Sequence, residues 1–457
     1  MTRRGSRPKR WLLGVLAALA LAAGLLYAKA EHVVLGAEGF MFGYPLVIMD
    51  LTRAGAVQTI APANRLKRVR VFPDAAFRDV VRPNVDTLYT SAFIDMADGP
   101  FVFEMPAQSQ RYELMQFTDA WTNVFAAPGT RTLGHRGGRF LLAGPRWQGE
   151  IPEGLQLLRA PTRIVWLIGR TQTNGTADYA TVHALQDGLR LQRLADLPSG
   201  ADPAPAPWQP AAERPLPPVQ QMRALSSPDF FTRLADLMVD NPPAAADAPM
   251  LAKLARIGVA PGQPPQWGPL ERAAVALGRR IAERRVAREL QQPRGLVNGW
   301  STPPAQLGDY GTHYNLRAVV AMVGLGANLP ADATYPNTRV DSEGRPLHGS
   351  HRYRLHFAPG SLPPVTAFWS VTAYGDDDFL IANPLNRHAL GDRDALVFNP
   401  DGSLDLWLQA EPPEPARLAN WLPVKHGQPF LLNARLYGPK PPALDGRWHM
   451  PPVQRLD

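Results

Sequence analysis

Hydrophobic and polar positions alternate along much of this chain, with the two-residue period that is typical of β-strands. The alternation begins at Leu88, and similar runs follow at hairpin spacing, separated by turns that contain Gly or Pro. Several short strands arranged in this way favour a sandwich or a barrel. After the strand that starts at Leu88, the predicted strands of this first β unit cover residues 101–105, 111–118, 122–126, 139–143 and 163–170.

The period changes at Asp178, where apolar residues recur at three- and four-residue spacing and predict a helix capped by Asp178. A Pro-rich stretch, residues 198–218, then predicts a stiff and extended connector. Earlier in the chain, residues 37–53 predict a short buried helix whose regularity is limited by Gly43 and Pro45. The predicted helices of the middle region cover residues 228–239, 249–257, 269–290 and 309–328.

The last third of the chain returns to strand-like runs and predicts a second, sandwich-like β unit. Two of these runs are separated by Asn399 to Ser403, in which Pro400 fixes φ and Gly402 accepts a positive φ. We therefore expect a mainly β protein with a helical insertion between two β units. The predicted strands of the second unit cover residues 352–357, 365–374, 379–382, 395–398, 403–409 and 430–437.

The N-terminus carries five cations followed by an uninterrupted apolar run from Trp11 to Ala28. This order is typical of an export signal or a membrane anchor, and either would place the rest of the chain outside the cytoplasm. The run is about as long as a membrane-spanning helix requires. A small-x-small cleavage site follows at Ala28-Lys29-Ala30, so cleavage and retention both stay open.

Charge and cysteine content exclude several classes of function. The formal net charge is +8, but six of these charges lie at or before Lys29, so the rest carries about +2. A nucleic-acid-binding domain requires a basic face, and we predict no nucleic-acid partner. The chain has no Cys, which excludes disulfides, thiolate zinc sites and a cysteine nucleophile.

The sequence lacks a nucleophile elbow, a phosphate loop, a dinucleotide-binding glycine fingerprint and a His-Glu-x-x-His motif. Residues His348, His351 and His356 form a cluster in sequence, but strand alternation does not bring their side chains together. The run from Asp376 to Asp378 lacks the ligand spacing of a calcium loop. We predict no cofactor and no metal.

Polar side chains are densest between Arg82 and Tyr89, at the mouth of the first strand of the alternating pattern. Two carboxylates in an aromatic cleft can divide acid and base roles, and an Arg can stabilise developing negative charge. On an alternative interpretation, Asp86 caps a turn, Arg82 pairs with Asp86, and the two acids lie far apart. The catalytic candidates are Asp86, Asp119, Arg82 and Arg131. The ligand-binding candidates are Asn84, Asp86, Tyr89, Tyr112, Asp119, Trp121 and Trp369.

The order of these motifs resembles the bacterial family that pairs domains of unknown function 1254 and 1214, from about residue 37 to the C-terminus. The stretches that carry the resemblance are residues 82–89, 111–119, 129–132 and 144–147 in the first half, and 367–374, 401–403, 420–423 and 435–437 in the second. The family motif often reads Asn-Arg-Asp-Thr, whereas this chain has Val85, and Arg82 is the available substitute.

The resemblance implies an immunoglobulin-like β domain over residues 31–197, the connector 198–218, a helical region over 219–330 and a jelly-roll-like β-sandwich over 331–457. It also implies residence in the bacterial cell envelope, either periplasmic or anchored to the inner membrane through residues 1–30. It implies no established activity.

Three functions follow as hypotheses. The first is an envelope protein that binds a small molecule or a glycan in a β-domain cleft, with aromatic rings supplying area and polar groups fixing orientation. The second is a hydrolase or lyase that uses the Asp pair. The third is a structural envelope component. The membrane is a partner if the N-terminal segment is retained, and assembly into a homo-oligomer stays open.

Overall fold

The computed structural model describes residues 24, 28–108, 111–199, 208–291 and 295–457. Most of the apolar run from Trp11 to Ala28, and much of the Pro-rich connector, lie outside these residues. The described chain forms two β units and a helical unit, which confirms the predicted combination of β units with a helical part. The helical share is larger than expected because a long helix precedes the first β unit.

Strands β1 to β9 form the first β unit. They are β1 (Lys67–Arg68), β2 (Thr87–Asp95), β3 (Phe101–Met105), β4 (Glu113–Asp119), β5 (Val124–Ala126), β6 (Gly138–Ala143), β7 (Gln156–Arg159), β8 (Ile164–Gln172) and β9 (Arg190–Arg193). One sheet has the order β1-β2-β8-β4-β5, and the other has the order β7-β6-β3-β9. Side chains from both sheets share one hydrophobic core.

The alternation predicted from the sequence assigns the two faces of the first sheet. Ile94 and Leu167 lie on the face that is buried between the two sheets. Tyr89 is paired with Arg170 across β2 and β8, and Leu114 is paired with Arg170 across β4 and β8. Directly paired residues of an antiparallel sheet lie on the same face. Tyr89, Leu114 and Arg170 therefore share the outer face of this sheet.

The helices up to the second β unit are numbered in chain order. They are α1 (Ala30–Thr59), α2 (Thr130–Leu133), α3 (Tyr179–Gly188), α4 (Pro218–Ala224), α5 (Ser227–Asp240), α6 (Ala248–Ala255), α7 (Pro269–Gln291) and α8 (Tyr314–Val323). The core of the helical unit contains residues of α1 and of α4 to α8. Helix α1 therefore packs with helices that follow it by more than 150 residues in the chain.

Helix α1 extends beyond the predicted helix 37–53 at both ends, and it continues through both Gly43 and Pro45. A Pro inside a helix costs about 3 kcal/mol, but burial of each large apolar side chain contributes about 1.5–3 kcal/mol. Residues from Leu35 to Leu51 are largely buried, so burial outweighs the cost. A Cβ atom at Gly43 would lie 2.5 Å from a methyl group of Leu234, so this glycine permits close packing against α5.

Helix α1 is also the one helix in the described part of the chain that is long and apolar enough to cross a membrane. Its most apolar window is 72% buried inside the protein. This helix lies near the N-terminus, and its apolar side chains are covered by other helices rather than left free to face lipid.

Strands β10 to β18 form the second β unit. They are β10 (Ala333–Thr334), β11 (Asn337–Thr338), β12 (Tyr353–Phe357), β13 (Val365–Gly375), β14 (Ala389–Gly391), β15 (Leu404–Gln409), β16 (Trp421–Pro423), β17 (Phe430–Pro439) and β18 (Val453–Arg455), with helix α9 (Pro441–Leu444) after β17. One sheet has the order β10-β17-β13-β14, with β11 also paired to β17, and the other has the order β16-β15-β12-β18. The two sheets share a second hydrophobic core.

Two strands predicted for this unit, at 379–382 and 395–398, are wrong. Leu380 forms only an isolated bridge with Tyr374. In the second segment, the backbone N–H of Val397 donates to the side-chain amide oxygen of Asn420 instead of to a neighbouring strand. Side-chain acceptors of this kind satisfy the backbone without a sheet.

Two predicted helix features also differ from the structure. The helix expected over 309–328 is limited to α8, because Gly311 has a positive φ of 50° before it and Gly324 ends it. Asp178 precedes α3 but does not cap it through its side chain. Its carboxylate instead accepts two hydrogen bonds from the guanidinium of Arg111, at 2.5 and 2.9 Å.

Candidate functional site

A seam between the two β units contains five of the predicted site residues, Arg82, Asn84, Asp86, Tyr89 and Tyr112. On the side of the second unit, the seam is formed by one face of β13 and β17. Strand alternation sends Val371 and Leu432 into the core of that unit. The neighbouring positions, among them Ser370, Arg435 and Tyr437, point the other way.

Asn84 holds the turn that precedes β2. Its side-chain oxygen accepts hydrogen bonds from the backbone N–H groups of Asp86 and Thr87, at 2.7 and 3.2 Å. Such a bond from Asn to the backbone two residues later is typical of a turn. The amide nitrogen of Asn84 donates to the hydroxyl groups of Tyr89 and Tyr437, at 3.2 and 3.0 Å. Asn84 therefore fixes its own turn and links it to β17 of the second unit.

Asp86 is 1% exposed and forms the centre of the contact between the units. Its carboxylate accepts a hydrogen bond of 2.6 Å from the hydroxyl of Ser370 on β13. It also forms an ion pair with Arg393, which donates to the backbone carbonyl groups of Asp86 and Thr173 as well. Both carboxylate oxygens therefore have partners from the second unit.

Arg82 lies in the left-handed region, with a φ of 49°, and also joins the two units. Its Nε atom donates to Asp378 at 2.9 Å, and its carbonyl accepts from Arg435 at 3.0 Å. Arg435 is buried and donates to Thr372 and Tyr374, at 2.7 and 2.6 Å. The predicted pairing of Arg82 with Asp86 is wrong, because Asp378 takes that role.

Arg170 is a buried cation on the outer face of the first sheet and is 6% exposed. Its Nη1 atom donates to Gln116 at 3.2 Å, its guanidinium lies 5.3 Å from the ring centre of Tyr89, and its Nε atom has no partner. Within the described residues, no carboxylate lies in ion-pair distance of Arg170. A buried cation costs several kcal/mol unless an anion compensates it.

Phenol groups surround this cation. Burial alone would raise the pKa of Tyr89, but the charge of Arg170 and the hydrogen bond from Asn84 outweigh burial and lower it. Burial raises the pKa of Tyr335 to about 12 and raises the pKa of Tyr112 well above its ordinary value. Tyr89 is therefore the phenol of this group that loses its proton most readily.

The seam is not fully closed at Arg170. Tyr89, Trp166 and Tyr335 are half-buried, so part of each residue stays in contact with solvent. Tyr89 and Tyr335 lie beside the buried guanidinium, and Trp166 lies four residues before Arg170 on β8. Trp166 donates to the hydroxyl of Ser91 at 2.9 Å and shares this face of the sheet with Tyr89 and Arg170. We call this partly exposed surface, which carries Tyr89, Trp166 and Tyr335 together with the buried Arg170, the groove.

Asp119 and Trp121 do not belong to this seam. Asp86 precedes the end of β2 that pairs with Gln172, whereas Asp119 pairs with Val165 at the other end of β8. Seven residues of strand separate these ends, a distance of about 23 Å. The two carboxylates therefore share no cleft, and the alternative of two distant turn residues describes them better than an acid pair.

Asp119 lies instead beside the helical unit. It accepts hydrogen bonds from the backbone and side chain of Asn123, at 2.8 and 3.1 Å, and burial raises its pKa to about 6. Arg317 lies nearby and is 2% exposed. Its guanidinium is 5.1 Å from the ring centre of Trp121 and 5.6 Å from that of Phe42.

The remaining candidates have structural contacts. Arg131 forms a two-bond ion pair with Asp332, at 2.7 and 3.1 Å, and this bond raises the pKa of Arg131. Trp369 lies in the core between the two sheets of the second unit, where it packs against Phe357. It therefore occupies the opposite face of β13 from Ser370.

Sequence reasoning missed Arg170, Tyr335, Arg393 and Arg435. A signal was present for two of them, because Arg170 and Arg435 are cations within otherwise apolar strand patterns. A charge inside a buried strand needs a compensating partner and is therefore informative. Arg393 and Tyr335 lie in irregular segments with no comparable signal. The described residues contain no group of three or more His, Asp or Glu that could hold a metal.

The chain matches two family models. Residues 63–193 match DUF1254 and residues 332–441 match DUF1214, and each is described as a protein of unknown function. Among solved structures, the VPA0106 protein from Vibrio parahaemolyticus is 26% identical with a TM-score of 0.71, over 93% of this chain and 100% of that chain. An uncharacterized protein from Burkholderia cenocepacia is 14% identical with a TM-score of 0.46, over 99% of each chain. Among curated proteins, nothing matches.

Proposed function

Because this chain belongs to the bacterial family that pairs DUF1254 with DUF1214, for which no function is described, we propose from the seam itself that the protein binds a small anionic molecule. The family assignment predicted from the motifs is confirmed, and it leaves the activity open. The proposed site is the groove formed by Tyr89, Trp166, Arg170 and Tyr335.

The observation that carries the proposal is that the buried Arg170 has no carboxylate partner among the described residues and keeps an unpaired Nε donor. Its Nε atom is buried and lacks an acceptor, although a guanidinium is well suited to bind a carboxylate through two parallel bonds. An anionic group in the groove would supply the missing acceptor and the missing charge. The half-buried rings of Tyr89, Trp166 and Tyr335 would supply apolar contact area, which is the usual composition of a small-molecule site.

The residue types in the groove favour some of the ligands expected from the sequence over others. A positive base with aromatic walls favours an aromatic carboxylate or an acidic sugar over a neutral glycan. The N-terminal apolar sequence supports delivery to the cell envelope, where such ligands would be met. The finer fold predicted for the two β units, immunoglobulin-like and jelly-roll-like, is part of this proposal.

A structural envelope component is the second candidate. It is favoured by Asp86, whose carboxylate oxygens are both used in contacts between the units. In this alternative the seam only holds the units together, and no ligand enters the groove. A catalytic Asp pair has less support, because Asp86 and Asp119 lie at opposite ends of the sheet.

Binding to purified full-length protein tests the proposal. The probes are benzoate and glucuronate, compared with benzamide and glucose, which lack the negative charge. We expect the anions to raise the melting temperature, because a ligand that binds only the folded state stabilises it by mass action. Arg170→Gln should weaken binding by at least about tenfold, which corresponds to about 1.4 kcal/mol.

Arg111→Gln is the matched control, because Arg111 lies near the same sheet and is paired with Asp178 outside the groove. This variant should bind the anions as the wild type does. Equal binding of the neutral analogues, or unchanged binding in Arg170→Gln, would contradict the proposal. Absence of any anion effect would favour the structural alternative.

A further inference from the structure

A cavity of about 250 Å³ lies apart from the seam, at the junction of α1, α5 and the start of β8. It is smaller than the pockets that hold drug-sized ligands, so it suits a smaller molecule. Its charged lining consists of three Arg and three Asp side chains, and the wall therefore has no net charge. The charged lining residues are Asp50, Arg53, Arg163, Arg233, Asp236 and Asp240.

Most of these charges are paired with one another. Asp50 accepts from Arg53 at 2.9 Å through one oxygen and from the Nε atom of Arg233 at 2.9 Å through the other. Asp240 accepts from Arg163 at 2.6 Å. These pairs join helix α1 to α5, and α5 to the first β unit. They form a rigid frame around the cavity.

Two side chains of opposite charge in the cavity wall, Asp236 and Arg53, have polar atoms without a hydrogen-bond partner in the protein. Asp236 is exposed to solvent and forms no hydrogen bond or ion pair with any described residue. The Nε atom of Arg53 is buried and has no acceptor, since its bond to Asp50 uses only Nη2. A buried donor without a partner destabilises the folded state, and a ligand acceptor would remove that cost. The cavity thus presents an exposed carboxylate without a protein partner and a buried guanidinium N–H without an acceptor.

We infer that this cavity binds a small zwitterion of the α-amino acid class. The ligand's carboxylate is directed to Arg53, whose guanidinium can donate to it, and its ammonium group is directed to Asp236. A simple anion would satisfy only Arg53, and a simple amine would satisfy only Asp236. Because the wall is neutral, neither single charge is favoured over the other, whereas a molecule that carries both is favoured by two contacts.

Isothermal titration calorimetry of the full-length protein tests this inference, with glycine, L-alanine and L-leucine as probes. Acetate and methylammonium serve as the two separate halves of the ligand. We expect at least one amino acid to bind about tenfold or more tightly than either half, and Asp236→Asn to weaken that binding by at least about tenfold. Arg53→Lys keeps the charge but removes the Nε donor, and should weaken it as well.

Asp229→Asn is the control, because Asp229 lies on the same helix α5 but outside the cavity. It should leave amino acid binding unchanged. The inference is overturned if none of the three amino acids binds at millimolar concentration, if acetate binds as tightly as they do, or if a folded Asp236→Asn variant binds them normally. A failure of anion binding at the seam would leave this result unaffected.

Discussion

Asp86 should contribute more to the stability of the seam than any exposed ion pair nearby. Asp86→Asn removes the negative charge that pairs with Arg393 and leaves that cation without its partner, while the hydrogen bond from Ser370 can persist. Breaking a buried ion pair by removing one partner costs about 3–5 kcal/mol. The carboxylate of Asp86 is almost fully buried, so we expect a cost in that range.

The assay is urea denaturation of the full-length protein, followed by tryptophan fluorescence, because the free energy of unfolding falls linearly with denaturant. Asp378→Asn is the matched control, since Asp378 also pairs with an Arg across the seam but keeps 27% of its side chain exposed. An exposed pair contributes about 0–1 kcal/mol, so the control should lose little.

The double variant Asp86→Asn/Arg393→Met measures the interaction energy between the two residues, apart from the effect of each single change. Removal of both charges should cost less than the sum of the single variants, because no unpaired cation then remains. The reasoning is refuted if Asp86→Asn costs no more than Asp378→Asn. It is also refuted if the single effects of Asp86→Asn and Arg393→Met simply add, since the two residues would then not be coupled.

Three further predictions concern the helical unit. Burial raises the pKa of Asp119 to about 6 from an ordinary value of 3.8. The folded state therefore holds this proton more tightly than the unfolded state, and the free energy of unfolding should fall by about 3 kcal/mol as pH rises from about 4 to 6. Asp119→Asn should flatten this part of a profile of melting temperature against pH. Arg317 lowers the pKa of Asp119 by its charge, so Arg317→Met should move the same transition to higher pH; an unmoved transition would contradict the assignment. A Cβ atom at Gly278 would lie 2.1 Å from the carbonyl oxygen of Val33, so Gly278→Ala should lower the free energy of unfolding, measured with urea, by about 1–3 kcal/mol or more. Gly55→Ala is the control, because no atom lies closer than 3.8 Å to a Cβ atom there, and it should cost nothing.

Local pattern was sufficient for many elements of the fold. The predicted strand 101–105 coincides with β3, and the predicted helix 269–290 differs from α7 by one residue. Local pattern was insufficient where a residue type disfavours a helix in isolation but tertiary packing compensates for it. Pro45 and Gly43 argue against a long helix, yet α1 passes through both because its neighbours are buried against other helices.

The candidate site was likewise predicted only in part from the local sequence. Asn84, Asp86 and Tyr89 were found together because they lie within six positions of the sequence. Tyr112 joins them because β4 and β2 both pair with β8. Asp119 was grouped with Asp86 from residue type alone, and strand direction places it at the other end of the sheet.

The sequence by itself determined the periodic elements, the turn at Asn84 and the family, because these depend on short-range backbone geometry and on the order of motifs. Only the tertiary structure decided which side chains meet. Ser370 is 284 positions from Asp86, and Tyr437 is 353 positions from Asn84. Contacts at such separations depend on how two folded units are placed against each other, which no local period encodes. The lack of a carboxylate partner for the buried Arg170 became visible only when its surroundings were known.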